Sequence, residues 1–150
     1  MALPVSVLAM AHSDVSRQVI GAFYDAYREL GYGFDASVYQ AAMKIVLQQR
    51  EIRFALDPRA NVRFRDVVVG EFHADFIVED CIVVDTTASD KISSEHELQV
   101  LSFLRASGLS VGLVLNFGPR PTVRRLYYSG ERVRADDAQD SVGAVAPQVH

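Results

Sequence analysis

The sequence predicts an α+β domain in which helices cover a mixed, mostly antiparallel sheet. Two observations lead there. Apolar residues recur with the 3.6-residue helical period before residue 51 and again between Glu95 and Ser107, while short β-branched runs with period two fill the space between them and follow the last helix. The expected order is ααββββαββ, with residues 14–129 as the domain, 1–13 as a flexible start and 130–150 as a flexible tail.

Ser13 or Asp14 is placed to cap a first helix whose apolar positions are Val15, Val19, Ile20, Phe23, Tyr27 and Leu30, and Gly31 and Gly33 end it. Asp35 then caps a second helix with an expected inward stripe of Val38, Ala42, Ile45, Val46 and Gln49, and Tyr39 reads as a packing residue. IRFAL, a turn at Asp57-Pro58, NVRF, a tight turn at Arg65-Asp66, one long strand through VVVGEFHADFIV, and Cys81–Thr87 are expected to form an antiparallel meander. Ser93 or Ser94 opens a third helix with Leu98, Leu101 and Leu104 on its apolar face, and Gly108 stops it. LSVGLVLNF then reads as a buried strand and TVRRLYYS as an edge strand.

A chain of 150 residues with 49% hydrophobic content suffices for one real core, and the net charge of −4 argues against an obligate, strongly basic nucleic-acid binder. A local basic face remains open: Arg50, Arg53, Arg59, Arg63 and Arg65 cluster in the middle, either as solvated side chains or as a phosphate-facing patch. Cys81 is the single cysteine, which excludes an intrachain disulfide and suits a reducing, cytoplasmic setting. The opening residues lack a basic segment and a long apolar run, so neither export nor a membrane anchor is expected.

Candidate chemistry centres on GEFHADFIVEDCIVVDTTA, Gly70 to Ala88. The period of two puts His73 and Asp75 on one strand face, and Asp85 and Thr87 on one face of the next. A two-residue turn at Glu79-Asp80 would oppose Asp75 to Val84; a three-residue turn or bulge would oppose it to Asp85, making a carboxylate pair suited to a divalent metal.

RELGYGFDASVYQAAM (Arg28–Met43), GEFHADFIVED (Gly70–Asp80), SEHELQVLSFLRASGL (Ser94–Leu109) and VGLVLNFG (Val111–Gly118) together resemble the GxxExxY proteins, a group within the PD-(D/E)XK nuclease superfamily. The resemblance covers roughly residues 14 to 129 and implies a restriction-endonuclease-like core. In such enzymes two carboxylates hold Mg²⁺, and a lysine two positions beyond the second positions the attacking water. Matched position by position, Asp75 keeps the strand aspartate, Asp85 stands for the second acid, Thr87 replaces the lysine, Ala36 replaces the helix glutamate, Gln99 keeps a helix glutamine, and Phe103 replaces a tyrosine.

Two acids therefore survive and two active-site groups are gone, a loss of roughly 10²–10⁴ in rate for each group acting in the transition state. The expectation is a catalytically degenerate nuclease fold used for binding or assembly, with a homo-oligomer or a protein partner, the apolar Leu126-Tyr127-Tyr128 edge as a candidate surface, and no cofactor. The alternatives are a weak Mg²⁺ or Mn²⁺ nuclease built on Asp75 and Asp85, with Lys91 or His73 compensating, or a protein that binds nucleic acid without cleaving it through Arg50, Arg53, Arg63 and Arg65. His96, Glu95 and Glu97 read as first-turn residues suited to the helix dipole, with His96 exposed; the family's Glu-His-Glu pattern adds a role for His96 at the site edge.

Overall fold

The computed structural model describes Val7 and residues 10–130; the expected flexible ends lie largely outside these. Among the elements described, helix α1 (Ser13–Leu30) and helix α2 (Ala36–Gln49) precede the strands. Five strands follow: β1 (Phe54–Leu56), β2 (Arg59–Phe64), β3 (Val67–His73), β4 (Phe76–Val78) and β5 (Ile82–Thr87). Helix α3 (Ser94–Ser107), β6 (Val111–Phe117) and β7 (Pro121–Tyr127) complete the described fold.

The five-stranded sheet runs β1-β4-β5-β6-β7, with β5–β6 parallel and the other pairs antiparallel; β2 and β3 form a separate two-stranded sheet. Helix α3 makes the crossover that a parallel pair requires. The fold class thus matches expectation, while the meander does not: β1 pairs with β4, and the β2–β3 hairpin is an excursion between them.

The run expected as one strand from Val67 to Val78 is two strands, because its backbone changes partners at Ala74-Asp75. Ala74 N–H still bonds Pro58 O at 3.2 Å, but Asp75 N–H bonds Val84 O at 3.2 Å. The order becomes ααβββββαββ.

Alternation along the central strands makes two cores. Ile82, Val84, Leu113 and Leu115 meet Val19 and Phe23 of α1 and Tyr39, Met43 and Leu47 of α2. Val83 and Val114 meet Val100, Leu101, Phe103 and Leu104 of α3, together with Ala60 and Phe72 of the hairpin. The inward face of α2 differs from the expected stripe. Tyr39, Met43 and Leu47, four residues apart, are buried, while Val38 and Ile45 are exposed. Tyr39 stacks on Phe117 with ring centroids 4.2 Å apart, and its hydroxyl donates to Gly31 O at 2.6 Å.

On α3, Leu98 is exposed while Glu97 is buried. Leu126 and Tyr127 of the edge strand β7 have buried side chains, and Tyr128 is half-buried. Cys81 is half-buried, and desolvation pushes its thiol pKa up, as suits a small packing residue.

Candidate functional site

The turn between β4 and β5 decides the geometry of the acids. Glu79, Asp80 and Cys81 form a three-residue connection, with Glu79 and Asp80 at positive φ, and Phe76 pairs with Val84 and Val78 with Ile82. Continuing this register by one residue opposes Asp75 to Asp85. The amide of Asp75 donates to Asp85 Oδ1 at 2.9 Å.

Asp75 itself is well supplied with donors. Its Oδ2 accepts from both the N–H and the hydroxyl of Thr86, each at 2.7 Å, and its Oδ1 accepts from Gln40 Nε2 at 3.1 Å. Asp85 is poorer: desolvation first, then repulsion from Asp75, raises its pKa to about 7, against the lowering effect of the Asp75 amide.

The remaining expected groups are dispersed. Thr87 turns its hydroxyl to Asn116 Oδ1 at 2.7 Å; this oxygen also accepts the Ser89 N–H at 3.0 Å, and Asn116 Nδ2 donates to Ser89 O at 3.0 Å. Gln99 donates to His73 O at 3.2 Å, tying α3 to the strand end beside Asp75. Ala36 opens α2 one turn before Gln40, and Phe103 is packed in the second core.

His73, placed by the period of two on the face of Asp75, lies 3.5 Å from both Asp57 and Glu71, on the hairpin side. Lys91 is exposed and forms no ion pair among the described residues. His96 is half-buried: with Ser93 it forms a capping box, accepting the Ser93 N–H at Nδ1 at 3.0 Å while its own N–H reaches Ser93 Oγ at 3.2 Å. Burial lowers its pKa. Glu97 is not a solvated dipole partner but pairs with Arg124 of β7.

The arginines are mostly engaged by acids. Arg50 pairs with Asp25, Arg53 with Glu79 at 3.0 Å and Asp80 at 3.2 Å, and Arg59 with Asp57 at 3.1 Å. Arg63 donates to Asp66 O at 3.4 Å and Arg65 lies over the Phe64 ring at 4.9 Å, both on the hairpin.

With this geometry in place, a family model for the PD-(D/E)XK nuclease superfamily matches residues 13–126. The chain belongs to the PD-(D/E)XK nuclease superfamily. Among solved structures, this superfamily member is similar to the crystal structure of SSO0001, with a TM-score of 0.52 and 17% identity over 81% of this chain and 61% of that one. At that identity the likeness concerns the fold alone. No curated protein gave a significant match. No helix among the described residues is long and apolar enough to cross a membrane.

The superfamily's chemistry implies a divalent cation, which needs several oxygen ligands. Here Asp75 meets three donors and Asp85 one, and among the described residues no three His, Cys, Asp or Glu side chains are grouped to hold a metal. Asp75 and Asp85 would thus supply only part of the oxygen set that such an ion takes. Gln40, Thr86 and Asn116 were missed in the sequence reading. Gln40 was findable, lying four residues beyond Ala36 on the same helix face.

Proposed function

We propose that this protein is a catalytically degenerate member of its superfamily, a pseudo-nuclease of the GxxExxY type that serves as a binding or assembly module. The observation that supports this most is the hydrogen bonding of Asp75, whose carboxylate receives protein donors from Thr86 and Gln40. The lysine position supports it too, since Thr87 carries no charge and its hydroxyl serves Asn116. Surface for a partner or a second copy is available on the hairpin, where Phe64, Val67, Val68 and Val69 are exposed together.

Incubating the protein with single- and double-stranded DNA and with RNA, in Mg²⁺ or Mn²⁺, tests this reading. No metal-dependent cleavage is expected, and Ala36→Glu/Thr87→Lys should gain some. Cleavage by the native chain that disappears in Asp75→Ala would overturn the proposal. It would favour the second reading, a weak nuclease, to which the register opposing Asp75 and Asp85 lends support.

A further inference from the structure

A small cavity of about 130 Å³ opens where the first turn of α1 meets the end of β7. It lies against the sheet face that carries Val111, Leu113 and Tyr127, the α1–α2 side, whereas alternation with Val83 places Asp85 on the α3 side. Neither Asp75 nor Asp85 lines it. Its walls include Ser13, Ser16, Arg17, Val111, Arg125 and Tyr127.

Three features give the cavity one chemical preference. Arg125 is half-buried, lines the cavity and pairs with no carboxylate among the described residues. Ser16 is 3% exposed, lines the cavity, and its hydroxyl has no hydrogen-bond partner among the described residues. Finally, α1 is 18 residues long and its N-cap, His12, supplies no side-chain acceptor, so the positive end of the helix dipole faces the same space. Arg17 stands at the rim, paired with Asp14 at 3.3 Å.

A half-buried guanidinium, a serine hydroxyl in the cavity wall and a helix N-terminus together suit a compact oxyanion with several acceptor oxygens. The cavity has room for one tetrahedral group. We infer that this cavity is a phosphate-binding site, held by Arg125 and Ser16 at the N-terminus of α1. It stands independently of the pseudo-nuclease reading.

The test is calorimetric titration of the full chain with inorganic phosphate, with ionic strength held constant by chloride. Saturable one-site binding is expected. Arg125→Gln should weaken it by about tenfold or more and Ser16→Ala by a few-fold, while Arg63→Gln on the hairpin leaves it unchanged. Circular dichroism verifies folding of each variant, and Arg125→Lys, which keeps the charge, should retain part of the affinity. Absence of saturable binding, or equal affinity in folded Arg125→Gln and Ser16→Ala, overturns the site. A 5′-phosphorylated dinucleotide and its 5′-hydroxyl form separate the sources. Tighter binding of the phosphorylated form than of inorganic phosphate supports the site with a nucleic-acid end as its ligand. Equal or weaker binding supports it with a small free phosphate as its ligand.

Discussion

Asp75 donates its backbone amide to the carboxylate of Asp85 at 2.9 Å, while its own carboxylate receives three donors from elsewhere. Two acids facing each other thus have unequal environments. Asp75 is satisfied, and Asp85, desolvated and facing a neighbouring carboxylate, has its pKa raised to about 7.

Stability should consequently fall as pH rises. Below pH 3.8 Asp85 is protonated whether the chain is folded or not. Between that value and about 7 the folded chain keeps a proton that the unfolded chain has released, so each step up in pH favours unfolding, and above about 7 the loss is complete. The full effect is at most about 4 kcal/mol. Asp85→Asn keeps the acceptor for the Asp75 amide and should raise the urea midpoint at pH 8 while flattening the decline. An unchanged pH profile in this variant would count against the assignment.

Thr86→Val removes one hydroxyl donor from Asp75 with little change of shape, and Gln40→Ala removes the amide. Each should destabilise by about 1.5–3 kcal/mol, the range for hydrogen bonds to a carboxylate. Because both serve one carboxylate, the double variant should depart from the sum of the singles. Denaturant titration of the four proteins measures that coupling.

Glu97 and Arg124 join α3 to β7 under cover, and desolvation raises the Glu97 pKa despite the arginine. Arg124→Met leaves a buried carboxylate without its counter-ion and should cost about 3 kcal/mol at pH 7. Part of this is recovered at a lower pH, because protonation of Glu97 removes the unpaired charge. Thermal melts at the two pH values would reveal a pH-independent loss if the pair were unimportant.

Gly118 admits no side chain. A Cβ there would overlap Ser89 O and press on Asn116 Nδ2, within the network that holds Thr87. Gly118→Ala should therefore destabilise by about 2 kcal/mol or more, since a backbone atom must shift. Gly108→Ala, at a helix C-cap with φ 84° and open space around it, should cost only about 1 kcal/mol. Equal losses for the two would contradict the packing argument.

Periodicity was enough to place the helices, because Val19, Phe23 and Leu104 bury one face of long regular elements. It failed on α2, where small and apolar residues lie nearly all round and the choice between the Val38 and Tyr39 faces depends on which one meets Phe117. The strand break at Ala74 was invisible for a different reason. Phe72 through Val78 alternates without interruption, and only the partner changes. At the site, the identities of Asp75, Asp85 and Thr87 could be read along the chain. Their partners could not: period two separates Thr86 from the face shared by Asp85 and Thr87, yet it reaches Asp75 just before β4, outside the paired residues.

Asp57 and Asp75 close the base of the β2–β3 excursion, with Asp57 N–H bonded to Asp75 O at 3.0 Å. The chain leaves the main sheet and returns to nearly the same point, so the entropy of closing this loop depends only weakly on its length. Residues 58–74 are in that sense a graft on the β1–β4 ladder, one that can be lengthened or remodelled while strand pairing at its root persists. The graft is also a shield, because Ala60 and Phe72 cover α3. Changes at its tip, around Arg65 and Asp66, should be tolerated far better than changes at its foot, and that gradient makes the hairpin the part of this molecule freest to acquire new sequence.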